Sequence, residues 1–269
     1  MQSQARRLPV DFERWTAELL RDIDPVVGYL AQNEIRFLAL MAACPTAAGD
    51  ILEIGSFKGK STIVLAKAAE LAADQAMVNA VDPMTAPCET DPSLGGEAST
   101  LDEFRRNMAE HRVEARVRLH QMLSHELAGS WTSPLRLLWI DGDHTYEGTK
   151  RDFQCFAPYL VDRGIVAIHD VLHQFEGGAR VFLEQVLRSP NFGPVGFCGS
   201  IAWAQFHVDA GDSKKYEFSK HVLAKKLGRL VPFLSRHDLG VFAKKKYKLF
   251  RWLIPHGAVE PQAWMDSVV

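Results

Sequence analysis

The sequence predicts a doubly wound α/β domain whose sheet is mostly parallel, seven-stranded and closed by an antiparallel hairpin. Three observations predict it. Short apolar runs of strand length recur at residues 51–54, 77–82, 117–122, 136–141 and 164–170. Helix-like stretches at 61–71, 100–110, 146–159 and 178–187 follow four of them, the order of βαβ units on a parallel sheet. The last two runs, 195–198 and 200–208, are separated only by Gly199. One residue leaves no room for a crossover helix, so these two strands must form a hairpin.

The elements follow in order. Residues 18–43 hold two helix-like stretches, with Leu19, Leu20, Val26, Val27 and Leu30, then Ile35, Leu38, Leu40 and Met41 apolar, and Pro45 closing the second. The pattern then shortens to strand length at Ile51-Leu52-Glu53-Ile54, which ends at Gly55. The second strand ends at Asp82, before a loop rich in Pro, Gly and Thr. Trp139 and Trp203 lie within strands and read as core. After Ala210 the alternation stops. The chain thus divides into an N-terminal helical cap (1–48), the α/β domain (49–210) and a basic, partly helical extension (211–269).

Composition is that of a soluble globular protein, with 47% hydrophobic and 24% charged residues in 269. A chain of this length builds its core without disulfides. The four cysteines, Cys44, Cys88, Cys155 and Cys198, form no Cys-x-x-Cys pair, which removes zinc-ribbon and thioredoxin-like readings. The first fifteen residues are polar and charged, unlike a secretory signal, and no apolar run is long enough to cross a bilayer. The expectation is a cytoplasmic protein, with peripheral membrane contact open through the extension. Residues 213–252 carry 12 Lys/Arg against 2 Asp/Glu, while the whole chain has a net charge of −2. That asymmetry points the extension at an anionic partner.

Chemistry concentrates at strand ends. The first turn reads Glu53-Ile54-Gly55-Ser56-Phe57-Lys58-Gly59-Lys60-Ser61. Its glycines permit a tight turn close to a ligand, and the next helix points its free N–H groups into the same space. A triphosphate loop needs four residues between Gly and Gly-Lys, and here there are three. The NAD fingerprint needs a glycine where Phe57 stands. The remaining pattern, Glu-x-Gly-x-x-x-Gly-x-Ser, resembles the first motif of class I S-adenosylmethionine-dependent methyltransferases, a Rossmann-like family. The resemblance implies S-adenosylmethionine as cofactor, with Gly55, Ser56, Gly59 and Ser61 shaping its loop and Glu53 supporting it. Asp82, 27 residues after Gly55, is placed to accept the ribose hydroxyls. Ser124, after the third strand, takes a position beside the adenine. The plain alternative is an ordinary strand-to-helix turn.

The fourth and fifth strands end in Asp141-Gly142-Asp143-His144-Thr145-Tyr146-Glu147 and His169-Asp170-Val171-Leu172-His173. With the strand order 3-2-1-4-5 usual for this fold, these ends are neighbours about 5 Å apart. Together with Arg-Gly-Ile-Val-Ala-Ile-His-Asp, they resemble the macrocin-type and cephalosporin-cluster O-methyltransferases of sugars and small molecules, over residues 50–208. The resemblance implies a hydroxyl acceptor on a sugar, glycolipid or glycosylated metabolite. His144 is the expected base, its ordinary pKa being nearest neutrality, with Asp141 orienting the acceptor. The alternative is a divalent metal held by Asp141, His169 and Asp170. A histidine at this place favours manganese over magnesium. Asp143 as a helix cap and His169 as a satisfied core histidine are the structural alternatives, and His173 reads as a loop residue.

In the extension, lysines and arginines interleave with aromatic and aliphatic residues, as in Lys244-Lys245-Lys246-Tyr247-Lys248-Leu249-Phe250-Arg251-Trp252. This suits an anionic membrane surface or an anionic glycan. The acidic body argues against nucleic acid. Packed helices, with an oligomer contact among them, are the structural alternative. A non-catalytic methyltransferase-like module docking through this extension is the alternative function, and it leaves the clustered strand-end residues without a purpose.

Overall fold

The computed structural model describes residues 8–72, 75–85, 99–173, 175–234 and 240–268. Cys88 and most of the Pro- and Gly-rich loop after the second strand lie outside them. Seven strands form one sheet: β1 (Asp50–Ile54), β2 (Val78–Val81), β3 (Val117–His120), β4 (Leu135–Ile140), β5 (Leu160–Ile168), β6 (Phe192–Cys198) and β7 (Ile201–Phe206). Their order is β3-β2-β1-β4-β5-β7-β6. β1 to β5 pair in parallel, whereas β7 runs antiparallel to both β5 and β6. The helices are α1 (Phe12–Asp22), α2 (Gln32–Ala43), α3 (Lys60–Leu71), α4 (Leu101–Glu110), α5 (Ser124–Ala128), α6 (Tyr146–Phe156), α7 (Glu176–Val181), α8 (Ala210–Ser213), α9 (Glu217–Leu230), α10 (Val241–Trp252) and α11 (Pro261–Ser267).

The sheet is covered on both faces because alternate strand residues point to opposite sides. Ile51, Val78, Leu137, Trp139, Ile165 and Ala167 join one core with α1 to α4 and α11. Leu52, Val81, Leu138, Ile140, Val166 and Ile168 join the other with α5, α6, α7 and α9. Strand order reverses at the β1–β4 boundary, the place where open α/β sheets hold ligands.

Several boundaries depart from the sequence reading. α1 begins at Phe12, and Val26, Val27 and Leu30 lie between the first two helices rather than in them. Val26 is buried, but Val27 is 48% exposed, so this stretch lacks a continuous apolar helical stripe. β5 begins at Leu160, because Asp162 and Arg163 are exposed strand positions that read as loop. Past Val181, α7 widens into a π-helical turn over Phe182–Leu187. Both flanking segments share the cores of the central domain. Ile35, Leu38 and Met41 of α2 pack with Ile63 and Trp203, while Leu223, Leu227 and Leu230 of α9 pack with Phe182 and Phe192. Trp139 and Trp203 are core residues. No helix among the described residues is long and apolar enough to cross a membrane.

Candidate active site

The loop after β1 is shaped from within. Glu53 is fully buried, and its Oε2 accepts hydrogen bonds from Ser56 Oγ (3.0 Å) and Thr62 Oγ1 (2.5 Å). Burial pushes its carboxyl up to about 7, against the opposing effect of the Ser61, Thr62 and Ser56 hydroxyls. Ser56 and Ser61 are themselves buried, so their side chains brace the loop rather than face a ligand. Gly55 has φ +87°, and a Cβ there would lie 2.3 Å from the carbonyl oxygen of Asp141. The first loop therefore lies directly on the end of β4. Gly59, at φ +90°, precedes the first turn of α3.

Asp82 closes this loop from the neighbouring strand. Its Oδ2 accepts the backbone N–H groups of Ser56 (2.9 Å) and Phe57 (2.8 Å), and its Oδ1 that of Met84 (2.7 Å). A carboxylate offers about four acceptor positions, so at least one is left for a ribose hydroxyl. Ser124 is buried and donates its hydroxyl to the Asp152 carboxylate. Burial raises Asp152 to about 6, with the Ser124 hydrogen bond acting the other way. The expected Ser124 position beside the adenine is thus held by an acid that the sequence reading did not single out.

At the ends of β4 and β5 the predicted cluster converges. Ligand atoms of Asp141, His144 and Asp170 all lie within 4.8 Å of one another, and all three side chains are partly exposed. His144 Nε2 is 3.8 Å from Asp170 Oδ2, and its ring stacks on Phe175 at 4.7 Å. Asp170 has a left-handed backbone, φ 55°, uncommon for a residue with a Cβ and frequent at functional sites. Burial acts to raise the Asp170 carboxyl. The His173 hydrogen bond (3.1 Å) and the charges of His169 and His144 outweigh it and hold the group well below the usual carboxylate range. His173 lies exposed in the turn after β5, a loop residue as expected, and reaches Asp170 from there.

Residues 52–171 match a family model described as a methyltransferase domain. Over that stretch the chain is similar to methyltransferase domains. Three solved structures share its fold. The cofactor-bound Rv0187 protein from MTB is 19% identical, with 76% of this chain and 100% of that chain covered at TM-score 0.53. An O-methyltransferase from Bacillus cereus, in complex with SAH, is 17% identical over 72% of this chain and 90% of its own, at TM-score 0.52. The O-methyltransferase TomG from Streptomyces achromogenes, involved in tomaymycin synthesis and solved with SAM, is 17% identical over 76% and 93%, at TM-score 0.52.

His169 stands outside this three-residue cluster, whereas the expected metal set was Asp141, His169 and Asp170. It is 4% exposed, and both ring nitrogens face carboxylates: Nδ1 to Asp141 Oδ1 at 2.9 Å and Nε2 to Glu34 Oε2 at 3.4 Å. Burial acts to discharge the ring, but Asp141, Glu34 and Asp170 together hold its pKa well above 6.5. A charged imidazolium has no lone pair for a metal. His144 takes its place in the candidate donor set. One nitrogen and two carboxylates suit manganese better than magnesium and fit a divalent ion by spacing. Such an ion, when bound, would lower the pKa of an acceptor hydroxyl.

Glu34 is the residue that sequence reasoning missed. It sits in the first turn of α2, buried, and its Oε1 accepts from Ser200 N (2.6 Å) and Ser200 Oγ (2.7 Å). Its Oε2 accepts from Ala31 N at 2.8 Å and meets His169. Burial acts to raise this carboxyl, yet His169 and the Ser200 and Ala31 amides lower it to about 2. The N-terminal helices are thus locked to the strand ends through a Glu34–His169–Asp141 chain. The local sequence shows only an acid in the polar first turn of a helix, where acids are ordinary. Asp143 was expected as a possible cap of α6. Thr145 holds that position, its Oγ1 accepting from Gly148 N at 3.1 Å, and Asp143 instead accepts from Thr145 N.

Proposed function

We propose that this chain transfers the methyl group of S-adenosylmethionine to a hydroxyl of a small acceptor, a sugar, glycolipid or glycosylated metabolite. The observation that carries this reading is the meeting of Asp141, His144 and Asp170 within 4.8 Å beside the Gly55 loop. Gly55 and Gly59 let the backbone approach the cofactor, and the start of α3 turns its N–H groups towards it. Glu53, Ser56 and Ser61 keep that loop in shape, while Asp82 combines loop closure with a free acceptor position for the ribose.

Methyl transfer is an in-line displacement at carbon. The acceptor oxygen forms a new bond to the methyl as the sulfur–carbon bond breaks, and the hydroxyl proton must leave. His144 takes that proton at Nε2, with Asp170 beside it to stabilise the imidazolium that forms. Stacking on Phe175 fixes the ring plane. Asp141, anchored by His169, accepts a hydrogen bond that orients the acceptor.

Two titrations and one kinetic comparison test this reading. His144→Ala is expected to lower turnover roughly 10²–10⁴-fold, the usual worth of a positioned base, and to leave the S-adenosylhomocysteine Kd unchanged. Full-rate turnover by this variant excludes His144 as base. Activity lost on EDTA treatment and restored by manganese would assign the cluster to a metal instead.

A further inference from the structure

Helix α10 (Val241–Trp252) is unlike every other described helix of ten residues or more, for none of its residues is fully buried. One side packs: Ala243, Tyr247, Phe250 and Arg251 are partly covered, and Phe233 meets Phe250 at 5.6 Å between ring centres. The opposite side is the unusual one. Phe242 is 83% exposed, Trp252 74%, Val241 71% and Leu249 51%. At 100° per residue these four fall within one arc of about 100°, turned away from the packed side. Lys244 and Lys248 flank that arc on one side and Lys246 on the other, with Lys245 within it, all exposed. The helix has four lysines and one arginine and no acidic residue.

We propose that α10 is an interfacial helix that docks this protein on an anionic phospholipid bilayer. An outward strip of aromatic and aliphatic side chains would be costly in water and gains by entering the boundary between headgroups and acyl chains. Trp252, with an apolar body and a polar N–H, suits that depth. The flanking lysines meet the negative headgroups, and their long stems let the charges stay at the surface. The net acidity of the rest of the chain opposes approach to a polyanion in any other orientation. The docked helix is also fastened to the active-site edge, because Tyr247 Oη donates to the Leu172 carbonyl at 2.9 Å, two residues beyond Asp170.

The test is co-sedimentation of the full chain with vesicles of phosphatidylcholine alone, and of phosphatidylcholine with phosphatidylglycerol in equal parts. The protein is expected to sediment with the anionic vesicles, not with the neutral ones, and to be released by high salt. Lys244→Glu/Lys245→Glu/Lys246→Glu should weaken binding at least about a hundredfold, given the contribution of each basic residue near such a surface. Phe242→Ser/Trp252→Ser should weaken it roughly tenfold or more. Both sets of positions are solvent-exposed, and an unchanged melting temperature verifies that the fold survives. No sedimentation with anionic vesicles overturns the proposal. So does binding that needs the lysines but not Phe242 and Trp252, which is attraction to any polyanion. A dimer that Phe242→Ser/Trp252→Ser converts to monomer would assign the strip to a second copy of the chain.

Discussion

Removing the Glu34 carboxylate tests how the N-terminal helices hold the active site. Glu34→Ala deletes the acceptor of Ser200 N, Ser200 Oγ and Ala31 N, and leaves the buried His169 ring facing Asp141 and Asp170 alone. A carboxyl lowered from 4.5 to about 2 favours the folded state by about 3 kcal/mol at neutral pH. Breaking one partner of a buried ion pair costs about 3–5 kcal/mol, so both routes reach the same size. For a domain of this length that is a fall in Tm of roughly 6–20 °C. Glu34→Gln keeps one acceptor oxygen and should lose about half as much.

The pH dependence has a definite sign. A depressed carboxyl stabilises fully above its unfolded pKa and loses that contribution as the pH falls through its folded pKa. The gap between wild type and Glu34→Ala should therefore be full at pH 7 and shrink as the pH drops from about 5 towards 3. Urea denaturation at a series of pH values measures it. A gap below about 0.5 kcal/mol at pH 7, the ordinary size of a surface substitution, would refute the clamp. A gap that stays constant down to about pH 3 would refute its ionic character.

Other expectations are narrower. Gly55→Ala places a Cβ 2.3 Å from the Asp141 carbonyl oxygen in a left-handed conformation, which no side-chain motion relieves. It should destabilise the fold by at least about 1–3 kcal/mol from backbone strain and abolish cofactor binding, read by calorimetry. Glu53 behaves oppositely to Glu34: with its pKa raised to about 7, the folded state holds the extra proton, and stability is lost as the pH rises from 4.5 through 7. Glu53→Gln should therefore be more favourable, relative to wild type, at pH 8 than at pH 5, by up to about 3 kcal/mol. Equal effects at both pH values would show that Glu53 titrates normally. Asp82→Asn, which keeps one acceptor oxygen for three loop amides, should weaken S-adenosylmethionine binding by about tenfold or more without a comparable loss of stability. Unchanged affinity would separate Asp82 from the cofactor.

Much of the fold was legible because its signals are local. The apolar runs around Leu52, Leu138 and Val166 are near-continuous, as strands buried on both faces must be, and the single Gly199 forced the hairpin. The convergence of Asp141, His169 and Asp170 followed from strand adjacency alone. What escaped depends on contacts distant in the chain. Glu34 meets Ser200 across 166 residues, and nothing near position 34 declares a partner. His169 was placed at the right strand end, with a buried, satisfied histidine among its readings, but its partner Glu34 was not foreseen. Asp152 likewise lies 28 residues from the Ser124 that it holds. The amphipathic character of the extension was visible, while its outward apolar strip was not, since helical periodicity does not say which face meets the domain.

The central claim is that the loop from Glu53 to Ser61 holds S-adenosylmethionine. Calorimetric titration of the full chain with S-adenosylmethionine, S-adenosylhomocysteine and NAD tests it most directly. The account predicts one-site, micromolar binding of both sulfur nucleotides, no heat with NAD, and loss of binding in Gly55→Ala. Binding of NAD in their place, or of none of the three by well-folded protein, would contradict it.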